Sequence, residues 1–348
     1  MLSVLECHGP CMRLLVVAVL SLAACAPVAA PPSRGDDNAR APATSGPCAE
    51  LPADVASGSH GVLEQTRGAL SGLVVLMGGG SEVDRGSAQF VEAALGGDVL
   101  VLRASGSTES YTSYFAQELV VDLPPASVTT LLLDDPSLAA DPAVLCRIDG
   151  AEAIWLAGGD QADYLVRWPE QLRAAIARAV NDGVAIGGTS AGAMSLSSLA
   201  FDALLGGVTS AEALAAPNDD VIRVVTSPFA PPVMAGTLVD THFVARAREG
   251  RLLAFLDRAL VAGAARITGV GLDESGTALV IDGASFTLLA DDGAQAFLYD
   301  VSGPEDAEVG ALDLDFITRV RLADGDEGPW PPSFAGGEPL EVKDGVLR

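Results

Sequence analysis

Gly188-Thr189-Ser190-Ala191-Gly192 sets a serine between two glycines, after the apolar run Val184-Ala185-Ile186. A serine among glycines can be a plain turn. It can also be a nucleophile held on a tight strand-to-helix bend. The second reading needs a strand before the motif, a helix after it, and small neighbours that let the backbone fold sharply. The strand-like run before and the helix-like Ala193-Met194-Ser195-Leu196 after supply that context. The same bend would bring the Ala191 N–H beside the hydroxyl, where negative charge develops in acyl transfer.

A serine at neutral pH needs a base, and the chain has 3 histidines. His8 lies in the N-terminal leader, and His60 in the polar stretch Ser57-Gly58-Ser59-His60-Gly61. His242, in Asp240-Thr241-His242-Phe243, follows an apolar strand-like run and is the candidate. The base needs a carboxylate to hold its tautomer and stabilise the imidazolium. Asp240 and Glu274 both qualify, and the sequence does not choose between them. With Glu274 the chain order is Ser, His, acid, which differs from the α/β-hydrolases.

Arg246, Arg248 and Arg251 fall within six residues of chain beyond the histidine. Planar guanidinium grips carboxylate through parallel hydrogen bonds, so the cluster suits carboxylate recognition. A solvated helix start paired with Glu249 and Asp257 fits the spacing equally well. Net charge is −26 and Lys343 is the one lysine, a balance that repels polyanions and excludes nucleic acid as an expected partner. One usable histidine and scattered cysteines make no metal-ligand set, and no cofactor is expected.

The elements that must position these residues alternate along the chain. Apolar runs Leu73–Met77, Val99–Leu102, Val128–Leu133, Ala153–Leu156 and Val184–Ile186 read as strands. Helix-like stretches Gly86–Leu95, Glu109–Leu119, Pro142–Ile148 and Tyr164–Val180 lie between them. Continuous apolar strands alternating with helices predict an α/β, three-layer architecture: a mostly parallel sheet with helices on both faces. Further helices are expected over Ala193–Leu205 and Arg248–Ala262, and strands from Ile267 to Val301. Residues 302–348 read as a loop-rich strap. Glycines at three strand ends, Gly78-Gly79-Gly80, Gly158-Gly159 and Gly187-Gly188, point to one shared crevice.

The N-terminus reads as an address. Arg13 precedes the apolar run Leu14–Ala24, right for a signal sequence, and Leu22-Ala23-Ala24-Cys25 resembles a bacterial lipobox with lipid on Cys25. Residues 1–11 fit a signal poorly, which points to Met12 as the start. The expected organisation is a leader over 1–25, a Pro/Ala/Ser-rich tether over 26–56 and one catalytic domain over 57–348. The expected location is the cell envelope or outside, with membrane contact only through the lipid. Cys48 and Cys146 could pair in an oxidising compartment, or Cys146 could be a small buried hydrophobe.

Together, Gly187–Ala193, Gly158-Gly159-Asp160-Gln161, Asp240-Thr241-His242-Phe243 and Arg246-x-Arg248-x-x-Arg251 resemble the cyanophycinases. These belong to the serine peptidase family S51, which also holds aspartyl dipeptidases. The resemblance spans roughly residues 70–300. It implies a flavodoxin-like sheet of the class I glutamine-amidotransferase type, with Ser190 as nucleophile, His242 as base and Glu274 as third member. It implies a second oxyanion donor at Gly79 or Gly80, and a substrate pocket shaped by Gln161, Asp240, Arg246, Arg248 and Arg251. It also implies a homodimer. The expected activity is hydrolysis of cyanophycin, a poly-aspartate carrying arginine on each β-carboxyl, to β-Asp-Arg dipeptides. The alternatives are a peptidase for other aspartyl peptides and a catalytically idle lipoprotein that binds acidic peptides.

Overall fold

The computed structural model describes residues 48–63, 67–302 and 310–348. The leader, Cys25 and the tether up to residue 47 lie outside the described residues. Along the first half of the chain run β1 (Ser57–Gly61), β2 (Val74–Met77), α1 (Asp84–Glu92), β3 (Asp98–Arg103), α2 (Glu109–Ser113) and β4 (Ser127–Leu132). They are followed by α3 (Pro142–Gly150), β5 (Ala153–Leu156), α4 (Glu170–Asn181), β6 (Ala185–Thr189) and α5 (Ala191–Ser195). The five apolar runs are thus β2 to β6, and they lie in the order β4-β3-β5-β6-β2, parallel throughout.

Both faces of this sheet are covered, which is why its strands are apolar without alternation. Val74, Leu76, Leu100, Leu102, Ile154 and Leu156 point to one side, against Val144 and Ile148 of α3 and Leu172 and Ile176 of α4. Val75, Met77, Val99, Val101 and Trp155 point to the other, against Phe90 and Val91 of α1 and against Phe115. The helix expected over Tyr164–Val180 is broken. A π-type turn over Asp163–Arg167 ends at Trp168, which is extended (φ −60°, ψ 138°) because Pro169 follows it.

The second half contributes β7 (Leu199–Phe201), α6 (Ser210–Ala215), β8 (Val224–Thr226), β9 (Thr237–Asp240), α7 (Glu249–Val261) and β10 (Ile267–Leu272). Then come β11 (Thr277–Asp282), β12 (Ser285–Ala290) and β13 (Ala296–Val301). The tail adds β14 (Leu314–Leu322), β15 (Glu327–Pro329), β16 (Glu338–Lys343) and β17 (Val346–Leu347). Among the described residues the first sheet runs β1-β4-β3-β5-β6-β2-β11-β12-β15 and a second runs β17-β16-β14-β13-β10-β9-β7-β8. The second sheet packs on α7 through Leu252, Phe255, Leu256, Ile267 and Tyr299.

Further sequence expectations need correction. The helix expected over Ala193–Leu205 stops at Ser195 and the chain becomes β7. The serines end it: the Ser195 hydroxyl donates to the Ala191 carbonyl (2.8 Å), and that of Ser197 to the Met194 and Leu199 carbonyls (2.7 and 2.8 Å). The tail is not a loop-rich strap. It supplies β15 to the first sheet and β14, β16 and β17 to the second. The polar stretch holding His60, which carries no strand signal in the sequence, is β1, antiparallel to β4 at the sheet edge. Finally, residues 48–56 are not tether: Val55 is buried in the core and Cys48 is bonded to Cys146 on α3.

Candidate active site

The serine bend is set by how closely β5 approaches it. Ser190 follows β6 directly and precedes α5, with φ 53° and ψ −120°. Its N–H donates to the Met77 carbonyl at the end of β2 (3.1 Å). A Cβ on Gly192 would lie 2.0 Å from the Leu156 carbonyl oxygen, and one on Gly188 2.8 Å from the same oxygen. No side chain fits at either position, so the glycines of Gly-x-Ser-x-Gly are required by space. Positive φ at a non-glycine residue costs on the order of 1–3 kcal/mol and persists where surroundings over-determine it.

His242 is the second such residue, at φ 50°, just beyond β9. Its N–H donates to the Gly78 carbonyl (2.8 Å) and the next N–H, of Phe243, to the Leu272 carbonyl at the end of β10 (3.0 Å). The histidine is thereby pinned between the carboxyl end of β2 in the first sheet and that of β10 in the second. The Ser190 Oγ lies 2.7 Å from His242 Nε2.

Glu274 sits in the turn that joins β10 to β11, and so joins the sheets. Its Oε2 lies 3.0 Å from His242 Nδ1. The pair is at contact distance but off the axis of a hydrogen bond, and Nδ1 has no aligned acceptor among the described residues. Asp273 braces the turn instead of serving the histidine: its carboxylate accepts from the N–H groups of Val244 (3.0 Å) and Gln295 (3.1 Å). The Ser275 N–H donates to the Gly79 carbonyl (2.6 Å), closing the ring of backbone bonds around the site.

Burial pulls His242 below its ordinary value of 6.5; Glu274 pushes it up, and Arg246 and Arg248 lower it further. The imidazole is therefore neutral at pH 7, the form that can accept a proton from serine.

Of the two glycines proposed as oxyanion donors, Gly79 packs on the reacting pair. Its Cβ would lie 2.5 Å from His242 Cε1 and 3.0 Å from Ser190 Cβ. Gly80 faces Glu274 and Ser275 instead, its Cβ falling 2.9 Å from Glu274 Cγ. Ala191 is buried as the first residue of α5. Gly158 also borders the nucleophile, 3.5 Å from Ser190 Cβ at its Cβ position, and Gln161 is half-buried three residues further on.

The arginines divide. A cavity of ≈ 270 Å³ is lined by Arg246, Arg248 and Arg251 together with Gly207, Val208, Thr209 and Ser210. Arg246 is half exposed (51 %), with Nε 3.8 Å from Glu274 Oε2. Arg248 is largely buried; its Nη1 donates to the Thr241 carbonyl (2.8 Å), and burial lowers it to about 10. Arg251 is spent on structure. Its Nε and Nη2 donate to the two oxygens of Asp240 at 2.7 and 2.6 Å, and both side chains are buried (6 % and 0 % exposed). This corrects the expectation that Asp240 meets substrate. A fully enclosed carboxylate gripped by a guanidinium fork holds Arg251 and Arg248 in place instead. The loop 207–210 was missed in the sequence, although Thr209 and Glu212 form a capping box that marks it.

A model of peptidase family S51 matches residues 99–215. Over that segment the chain is similar to peptidase family S51. The matched segment runs from β3 through α6 and includes Ser190, while His242, Glu274 and the arginines lie beyond it. A solved structure, a peptidase from an acI-B1 Actinobacterium, is 17 % identical, covers 75 % of this chain and 97 % of its own, and superimposes with a TM-score of 0.50. At that identity the likeness concerns the fold, an α/β architecture shared with that peptidase. No curated protein matches.

Proposed function

We propose that this S51 relative is a serine-type peptidase that hydrolyses cyanophycin to β-Asp-Arg dipeptides through an acyl-enzyme. The family relation supports a peptidase. The serine mechanism rests on one observation: Ser190 Oγ lies 2.7 Å from His242 Nε2, with Glu274 3.0 Å from the other ring nitrogen. In the proposed reaction Ser190 Oγ attacks the scissile carbonyl and its proton passes to His242 Nε2. The oxyanion forms beside the N–H groups of Ala191 and Gly79. His242 then protonates the leaving amine, and water hydrolyses the ester by the same route in reverse. Arg246 and Arg248 face the cavity and would hold the α-carboxylate of a β-linked aspartyl unit.

The ≈ 270 Å³ of that cavity also suits a free dipeptide carboxylate, so a dipeptidase for small aspartyl peptides is the second reading. Export as a lipoprotein through Cys25 remains part of the proposal. The Cys48–Cys146 disulfide supports an oxidising compartment.

The test is purified protein on insoluble cyanophycin, with mass spectrometry of the soluble products and Ser190→Ala beside it. β-Asp-Arg from the wild type, falling by several orders of magnitude in the variant, is expected. Inert polymer alongside cleaved β-aspartyl dipeptides would transfer the reading to a dipeptidase. Equal activity in S190A would remove the nucleophile.

A further inference from the structure

Behind the serine bend lies a polar cluster that acyl transfer does not use. Thr189, which precedes Ser190, is 5 % exposed, and Trp155 is fully buried. Among the described residues, Thr189 Oγ1, Trp155 Nε1 and Glu82 Oε2 are all enclosed without a hydrogen-bond partner. The other oxygen of Glu82 accepts a short hydrogen bond from the Tyr111 hydroxyl. Around them the walls are aromatic: Tyr111 lies 6.2 Å from Trp155 and 5.3 Å from Phe115 between ring centroids, and Phe90 packs on Trp155 at 4.8 Å. Buried polar atoms in native proteins find partners. Unpaired atoms clustered beneath a nucleophile call for a physical account.

A protonated Glu82 supplies one for the carboxyl and the threonine. With Tyr111 donating to Oε1, a proton on Oε2 can be given to the Thr189 hydroxyl, which is near enough to act on the carboxyl though not aligned with it as a hydrogen bond. Burial is the strongest influence on this group and raises it from 4.5 to about 7, against the Tyr111 and Thr189 hydroxyls and the Arg103 charge, which lower it. Glu82 also flanks the reacting corner twice. It follows Gly79, which packs on Ser190 and His242, by three residues, and its side chain reaches the residue before Ser190.

We propose that Glu82 is a positioning residue for the nucleophile bend: neutral, it links Tyr111 to Thr189; ionised, it places negative charge behind the corner where the oxyanion forms. The inference rests on Ser190 being the nucleophile. Among the charges facing Glu82, Arg103 favours the ionised form: it keeps its charge, lies 5.4 Å from the Tyr111 ring centroid and is held there by the Ser105 and Ser107 carbonyls and the Ser110 hydroxyl. On the same segment, Asp84 accepts from Tyr114 and Arg85 is paired with Asp291 and Asp324. Tyr111 and Tyr114 are both pushed up, mainly by burial, and stay protonated. His242, across Gly79, is neutral above its lowered value.

The experiment follows the rate at which a fluorophosphonate labels Ser190 in the full chain as pH is varied. The Ser190 oxygen displaces fluoride from phosphorus and His242 takes the proton, so the rate reads the bend without assuming a peptide substrate. The wild-type rate is expected to rise as His242 loses its proton, then to fall about tenfold between pH 7 and pH 8.5 as Glu82 ionises. In Glu82→Gln the alkaline fall should vanish. In Tyr111→Phe it should move to higher pH, since a hydroxyl that favours the carboxylate is gone; this variant carries the test if E82Q does not fold. A fall at the same pH in E82Q, an unmoved midpoint in Y111F, or a flat wild-type profile up to pH 9 would each overturn the role of Glu82. No labelling at any pH would remove the nucleophile and this inference with it, whereas labelling without an alkaline fall removes this inference alone.

Discussion

Gly79→Ala should disarm the site without replacing any proton-transfer group. The new Cβ would lie 2.5 Å from His242 Cε1, 2.6 Å from Nε2 and 3.0 Å from Ser190 Cβ. Carbon contacts settle at about 3.5–4.0 Å, so the imidazole must retreat by about 1 Å. It cannot carry its backbone along, because the His242 N–H is bonded to the Gly78 carbonyl at 2.8 Å. The ring therefore swings, and the 2.7 Å separation from Ser190 Oγ opens to about 3.7 Å, beyond hydrogen-bond reach. A misplacement of about 1 Å costs on the order of 10²-fold in rate, about 2.7 kcal/mol of transition-state stabilisation. The residue also has φ +94°, where a side chain adds strain of about 1–2 kcal/mol to the fold. Fluorophosphonate labelling gives the rate and a thermal melt gives the stability. Gly207→Ala is the control: it lines the arginine cavity, and its Cβ would have nothing within 4 Å. Labelling of G79A within threefold of wild type, at unchanged melting temperature, would refute the packing argument.

Arg251→Ala should destabilise the fold by about 3–5 kcal/mol in urea unfolding, because the buried Asp240 carboxylate loses its two-pronged partner and keeps only the longer 3.4 Å contact with Arg248 and the Thr241 N–H. Arg246→Ala, at a half-exposed position, should leave the urea midpoint nearly unchanged while raising KM for an aspartyl substrate about tenfold, read from initial rates. The acid limb of activity should lie below pH 6.5, because the neutral imidazole is the active form and burial lowers it. Glu274→Gln removes an influence that raises His242, so that limb should move to still lower pH while kcat drops about 100-fold or more. Cys146→Ala should lower stability by about 2–4 kcal/mol through loss of a bond spanning 98 residues, and a reductant should reproduce the loss in wild type.

Much of this molecule is written in local patterns. The five apolar runs are β2 to β6 because a strand buried on both faces has no polar side to display, and period alone reveals that. Gly188 and Gly192 announced the bend because a backbone passing that close to the Leu156 carbonyl excludes every other residue. Ser190 was nameable from its glycine-flanked bend, and His242 by elimination, since a serine needs a base and the chain has 3 histidines. Local pattern failed where competition between partners decided. The serines after Met194 satisfied helix carbonyls with their own hydroxyls and turned an expected helix into β7. The tail reads as loop because its strands are partly exposed and Gly328-Pro329-Trp330-Pro331-Pro332 interrupts them, yet edge strands of both sheets were waiting to pair with it.

Composition and spacing thus determined the parallel core, the bend and the residue types able to act. Only the tertiary structure decided between Asp240 and Glu274. Asp240 lies two residues from the histidine but is enclosed with Arg251, whereas Glu274, 32 residues away, comes to 3.0 Å from Nδ1. The physical reason is that β9 and β10 end side by side, and the turn from one sheet to the other passes the imidazole. The same packing split three look-alike arginines into a buried brace and a cavity wall, and drew Glu82, Tyr111 and Thr189 from separate elements to one place beneath the serine. Each of those outcomes depends on what covers a side chain, which no stretch of sequence records about itself.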